Sequence, residues 1–215
     1  MTPQRPKSNK LRYSICVSGA AAGQTVNKAA YLAFKVGEAI ARSGMILTTG
    51  ATVGLPYYAA RGAHEAGGMS VGFSPAASLR EHIRKYRLPR DVFDFINFTG
   101  LHYVGRDLYL IQSSDAVITV GGRIGSLHEF ASAIEDHKPC GVLVGSGGTA
   151  DMIADLVKAL DPAAGDLVIY DDDPARLVAR IIKGLDEKYA DIQKDLQDHD
   201  DHWFLRDNKW PTHTG

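Results

Sequence analysis

Short apolar runs alternate with amphipathic segments along almost the whole chain, and this alternation limits the available folds more than any other feature. The runs fall at residues 13–18, 45–49, 69–74, 94–98, 116–120, 140–144 and 167–170. Several stop at a breaker, as at Gly50, Pro75 and Gly121. Continuous apolar runs of this length are strands buried on both faces. Between them, apolar residues recur at helical spacing. In 27–43, Ala33, Val36, Gly37 and Ile40 follow the i, i+3, i+4, i+7 pattern of one buried face. Helices are likewise predicted over 55–66, 101–112, 126–136 and 150–160. A last long helix opens at Asp173-Pro174, a capping residue followed by proline at the first helical position. It sets Leu177, Val178, Ile181, Ile182 and Leu185 on one stripe.

Strand–helix alternation of this kind predicts an α/β, Rossmann-like fold. The expectation is a doubly wound, mostly parallel sheet of six or seven strands with helices on both faces. No internal repeat or low-complexity linker divides the 215 residues. One domain over 11–188 is expected, with terminal extensions at 1–10 and 189–215. Net charge is −1, from 24 basic and 25 acidic residues, which gives no global field for nucleic acid or an anionic membrane. Anion binding must therefore be local. No apolar run approaches the ~20 residues that span a bilayer. The start, MTPQRPKSNK, lacks the apolar centre of a secretory signal. Cys16 and Cys140 sit inside apolar runs and read as buried reduced thiols. A cytoplasmic protein without disulfides is expected.

In a parallel sheet, ligands bind beyond the carboxyl ends of the strands. The richest such loop is Gly121-Gly122-Arg123-Ile124-Gly125-Ser126-Leu127-His128-Glu129. Glycines let the backbone turn and approach a ligand, and a helix N-terminus offers free N–H groups to phosphate. Arg123 and Ser126 add a charge and a hydroxyl. The competing reading is a capping box, with Ser126 as cap and Glu129 reaching back. A second loop, Thr48-Thr49-Gly50-Ala51-Thr52-Val53-Gly54, also joins strand to helix, and small and hydroxyl residues there suit a ligand cleft. A third, Ser18-Gly19-Ala20-Ala21-Ala22-Gly23, lacks the third glycine of the dinucleotide fingerprint. No acidic residue ends the second strand, so NAD-dependent hydride transfer is disfavoured. Arg106 lies near the start of a helix, where a lone arginine is commonly a solvated charge or else a partner for phosphate. The basic run Arg80, Arg84, Lys85, Arg87, Arg90 reads as a solvated helix face or a lid over a phosphate site. His199-Asp200-Asp201-His202 has metal-ligand residue types in a polar tail, where solvated sequence is the plainer reading. No metal site is assigned.

Together these loops resemble the LONELY GUY family, long labelled lysine decarboxylases, and more closely a bacterial branch described as molybdenum-cofactor carrier-like. The 121–129 loop is similar to the family's PGGxGTxxE motif and to the branch's GGGxGTLSE. Residues 99–107 stand where the branch has a TGMxxARN-like segment. The resemblance spans most of 13–160, including Thr49-Gly50 and Gly54. It implies a Rossmann-type fold, a homo-dimer or higher oligomer, and a small-molecule nucleotide as partner. It also implies cleavage of the N-glycosidic bond of a nucleoside 5′-monophosphate to free base and ribose 5-phosphate, with no metal or redox cofactor required. By this alignment Arg106 and Glu129 take the catalytic positions. Gly19, Thr49, Gly50, Gly121, Gly122, Arg123, Gly125 and Ser126 make the nucleotide and phosphate frame. Departures are Gly121 for proline, Arg123 for a loop glycine, Ser126 for threonine, His128 for the first glutamate of the plant-type ending, and Asp107 for the lysine of the plant-type RK pair. The alternative is a carrier that holds a nucleotide or the molybdenum cofactor, a pterin phosphate, without cleaving it.

Overall fold

Seven short strands lie side by side, each parallel to its neighbours, in the order β4-β3-β2-β1-β5-β6-β7. They are β1 (Ser14–Gly19), β2 (Ile46–Thr49), β3 (Met69–Ser74), β4 (Phe95–Phe98), β5 (Ala116–Val120), β6 (Cys140–Leu143) and β7 (Val168–Asp171). The computed structural model describes residues 11–198. Helices pack around the sheet: α1 (Gln24–Arg42), α2 (Leu55–Glu65), α3 (Leu79–Arg84), α4 (His102–Gln112), α5 (Ile124–Glu135), α6 (Thr149–Leu160) and α7 (Pro174–Lys188). The fold is the expected α/β, Rossmann-like one, and the sheet is parallel throughout. By packing, the described chain falls into a main unit, Arg12–Leu185, and a smaller one holding Leu11 and the residues from Asp186, which include α8 (Ala190–Asp198). No helix among the described residues is long and apolar enough to cross a membrane. The motif at 199–202 lies outside the described residues.

Strand β5 is buried at every position. It lies between β1 and β6, so both its edges are paired and both its faces covered, which is why its sequence reads Ala-Val-Ile-Thr-Val without alternation. Around it a core of Cys16, Val117, Cys140 and Val142 meets Leu110 and Ile111 of α4, Phe130 of α5 and Ile153 of α6. Both cysteines are buried and neither forms a disulfide. The Asp173 cap is real: its carboxylate accepts from the Arg176 amide at 2.7 Å. In the basic segment 76–90, α3 is capped by Ser78, which accepts from the Glu81 amide at 3.3 Å, while the Glu81 carboxylate accepts from the Ala77 amide at 3.0 Å.

One boundary matters for function. The helix expected from residue 126 starts at Ile124, with Arg123 as its N-cap. Ser126 is therefore inside the first turn and is not the cap. No side-chain hydrogen bond caps this helix, and Glu129 points elsewhere. The capping-box reading of Ser126-x-x-Glu129 is overturned. Glycines at 121 and 122 turn the chain so sharply that the helix begins two residues early.

Candidate functional site

The strand order reverses between β1 and β5. From β1 the sheet grows through β2 and β3 to β4; from β5 it grows the other way to β7. Connections diverge at such a point and leave a crevice beyond the strand ends. Here the crevice is a cleft of about 370 Å³, lined by Gly19 at the end of β1, Gly50 and Thr52 beyond β2, residues 123–126 at the start of α5, Glu129, and Tyr103, Arg106 and Asp107 of α4.

Gly121 and Gly122 take φ of 57° and 109°, left-handed values that side chains resist. The turn they make is pinned from behind. The Gly121 amide donates to Ser146 Oγ at 2.7 Å, and its carbonyl accepts from the Ala150 amide at 2.8 Å. The first intrahelical bond of α5 is Leu127 N–H to Arg123 O. The amides of Ile124, Gly125 and Ser126 therefore precede the ladder and lie where the cleft is. Arg123 and Gly125 are exposed there, and Ser126 is buried.

Arg106 contradicts the solvated-charge reading: it is only 4% exposed. Its Nε and Nη1 are buried without a hydrogen-bond partner. Nη2 lies 3.4 Å from Asp107 Oδ1, and Nη1 lies 3.8 Å from Glu129 Oε1, distances of charge attraction rather than hydrogen bonding. The guanidinium rests on Gly50, where an added Cβ would stand 1.7 Å from Nη1. With the guanidinium in this place, position 50 has no room for a side chain. The next residue, Ala51, is held at φ 52°, an uncommon conformation for a residue with a side chain.

Glu129 is also buried, at 8% exposure, and accepts a hydrogen bond from the Ser18 hydroxyl. Burial raises its carboxyl from 4.5 to about 7; Arg106 pulls it down, and the neighbouring Asp107 pushes it up again. Asp107 in turn meets His128 Nδ1 at 3.2 Å. The two residues that depart from the plant-type motif at these positions therefore contact each other. Beneath them, burial and the Glu129 charge push the Cys16 thiol well above its ordinary value, so it is an inert packing group.

Of the residues singled out from sequence, Gly19, Gly50, Arg106, Arg123, Gly125, Ser126 and Glu129 line the cleft. Gly121 and Gly122 shape the turn behind it. Thr49 is fully buried and steadies its own loop by accepting from the Ala51 amide at 3.1 Å. Sequence reasoning missed Thr52, Tyr103 and Asp107 as wall residues. Each sits in a loop or helix start that strand ends had flagged, but nothing local says which side chains turn inward. Among the described residues no three His, Cys, Asp or Glu side chains gather as a metal site.

Comparison with known proteins agrees with this architecture. An uncharacterized protein of Archaeoglobus fulgidus is 33% identical over 117 residues, covering 54% of this chain and 72% of that one. The structure of TM1055 superposes with a TM-score of 0.69 at 23% identity, covering 80% of this chain and 99% of that one, which shows a shared fold. The Moco carrier protein of Chlamydomonas reinhardtii gives 0.68 at 27% identity, over 83% and 99% of the two chains. The molybdenum cofactor binding protein of Rippkaea orientalis gives 0.65 at 27%, over 81% and 98%. Residues 12–178, which carry every strand and the whole cleft, match the SLOG cluster4 family, and the chain belongs to that family.

Proposed function

We propose that the cleft binds a phosphorylated heterocyclic ligand, a nucleoside 5′-monophosphate or the molybdenum cofactor, with its phosphate on the 124–126 amides and beside Arg106. One observation carries this reading: a buried arginine with two unspent donors lines the same cleft as an uncapped helix N-terminus. Buried donors without acceptors are costly, and a phosphate supplies several acceptors at once. The amides add the partial positive charge of the helix start. The two molybdenum-cofactor proteins that share this fold support the pterin-phosphate form of the reading.

The resemblance to LONELY GUY proteins, and the state of Glu129, favour a catalytic reading of the same site. A carboxyl raised to about 7 beside an arginine is poised to exchange a proton near neutral pH. In hydrolysis, the ionised Glu129 takes a proton from water as that water attacks C1′. The C1′–N bond breaks through an oxocarbenium-like state; the base leaves with the bonding pair and takes a proton from solvent, and Glu129 returns the water proton to solvent. The ionised carboxylate stabilises that cation, and the phosphate clamp holds the sugar still.

Purified protein incubated with a panel of nucleoside monophosphates and assayed for free base separates the two. Base release supports hydrolysis. No release, together with tight retention of a nucleotide or of the molybdenum cofactor identified by mass, supports carrying. Failure to bind any of them would sink both.

A further inference from the structure

The phosphate end of the cleft is polar, but two apolar side chains in its lining are open to solvent: Tyr103 is 47% exposed and Ile124 80%. Single exposed apolar residues are ordinary. Tyr103 differs because its ring is braced. It packs edge to face on Tyr86, with centroids 5.7 Å apart and planes at 82°. The Tyr86 hydroxyl meets His102 Nδ1 at 2.8 Å. His102 opens α4 with φ of 57°, a conformation that residues with side chains seldom hold without compensation. The helix start, the histidine and the second tyrosine thus fix a half-exposed aromatic ring in the cleft wall.

The spacing along α4 is also informative. Tyr103, Arg106 and Asp107 stand at i, i+3 and i+4, so they share one face, and all three line the cleft. Arg106 follows Tyr103 by about 4.5 Å along the helix axis. A ligand lying along this face would place one part on the ring and a charged or reacting part about one turn further along.

We propose that Tyr103, braced by Tyr86 and His102, is the stacking platform for a planar heterocycle, with Ile124 as a second apolar wall. This rests on the reading of the cleft as a phosphate-ligand site and adds to it the subsite that selects a purine-like or pterin-like ring over a bare sugar phosphate. Flat aromatic and aliphatic surfaces hold a heterocycle by its π-face without specifying its edge.

The test compares two probes by calorimetry on the full chain. One is formycin 5′-monophosphate, whose base is joined through carbon and resists hydrolysis; the other is ribose 5-phosphate, which lacks a base. Wild type is expected to bind the first more tightly. Tyr103→Ala should weaken the formycin nucleotide by about ten-fold, the usual scale for losing one stacking partner, and leave ribose 5-phosphate unchanged. Tyr103→Phe should restore affinity, because the ring and not the hydroxyl does the stacking. Unchanged nucleotide affinity in Tyr103→Ala overturns the platform while leaving the phosphate site standing. So does an equal loss for both probes, which would mean that the helix start had merely shifted. If wild type binds neither probe, the nucleotide form of the phosphate reading fails, and the platform with it.

Discussion

Two carboxylates of this protein have the same solvent exposure and opposite fates. Asp171, at the end of β7, is 8% exposed, as is Glu129 in the cleft. Asp171 accepts from Arg176 Nε at 2.9 Å, from Arg180 Nη1 at 3.0 Å and from the Asp173 amide at 3.0 Å. These partners, Arg176 foremost, hold its carboxyl well below the usual range. Glu129 has one hydroxyl donor and an arginine at 3.8 Å that makes no hydrogen bond to it. Burial wins there, and its carboxyl rises to about 7. Asp171 is saturated and serves the fold. Glu129 and Arg106 are left short of partners, which is the condition of groups that await a ligand.

The largest expected effect separates these roles by chemistry. If the protein hydrolyses nucleotides, Glu129→Gln should cut base release by about 10²-fold or more while the melting curve stays cooperative, since glutamine cannot take a proton from water. Asp171→Asn should do the reverse, lowering Tm and leaving turnover per folded molecule intact. Full activity in a folded Glu129→Gln protein would remove the carboxylate from the mechanism. Next in size is phosphate affinity. Arg106→Ala should weaken binding of ribose 5-phosphate by about 1.5–3 kcal/mol, the range for hydrogen bonds to a charged group. Gly50→Ala should reproduce that loss, because the new Cβ would occupy the place of Nη1. An alanine at 50 that binds normally would mean that the guanidinium has another resting place.

The comparison also fixes opposite pH dependences of stability. The folded protein holds the Glu129 proton more tightly than the unfolded chain does. Its contribution is therefore present below about pH 4.5 and lost as pH rises through about 7. Asp171 is the mirror case: its contribution is present at neutral pH and lost as pH falls below the usual carboxylate range. Glu129→Gln should accordingly be more stable than wild type at pH 8, by on the order of 1–3 kcal/mol, and equal to it at pH 4. Asp171→Asn should be less stable at pH 8 and converge with wild type in acid. Asp107→Asn removes a charge that pushes the Glu129 carboxyl up, so it should move the Glu129 midpoint to lower pH. Urea midpoints taken across pH 2–9 read all three; a flat difference for Glu129→Gln would mean the carboxyl ionises freely.

The same pair of regions shows what a sequence can and cannot reveal. The sheet was legible because buried parallel strands announce themselves as unbroken apolar runs. The Asp173-Pro174 start was legible because capping is local. The pattern Ser-x-x-Glu stands near the start of two helices, α3 and α5, with different outcomes. At Ser78–Glu81 the serine caps α3, and the glutamate turns back to the chain just before it. At Ser126–Glu129 the preceding glycines start the helix early, and the glutamate reaches across to Ser18 on another strand. The glycines are visible locally, but the contact that draws Glu129 to Ser18 is long-range and is not. Arg106 illustrates the same limit. Its burial depends on Gly50, more than fifty positions earlier, and only the fold brings them together. Arg106 and Glu129 were singled out through family resemblance, and their partners Ser18, Asp107 and His128 emerged only with the coordinates.

The smallest expected effect contrasts the two arginines of the cleft. Arg123 lines it as Arg106 does, but Arg123 is exposed and caps α5 in an extended conformation, with φ −139° and ψ −163°. Any residue adopts those angles, so Arg123→Gly brings no strain and restores the glycine typical of the motif. An exposed cation acts through water and mobile ions. Its attraction for phosphate should be worth about 0.2–1 kcal/mol at low salt and fade as the Debye length shrinks to roughly 3 Å at 1 M. Arg106 is buried, and its hydrogen bonds to a bound phosphate should survive that salt. Titrating ribose 5-phosphate at low and high ionic strength into wild type, Arg123→Gly and Arg106→Ala therefore gives a crossed pattern. Arg123→Gly should bind a few-fold more weakly at low salt and match wild type at high salt, whereas Arg106→Ala should stay weak at both. A salt-independent loss in Arg123→Gly would place Arg123 in direct contact with the phosphate and make it the equal of Arg106. A salt-sensitive loss in Arg106→Ala would mean that the buried arginine reaches the ligand only through its field.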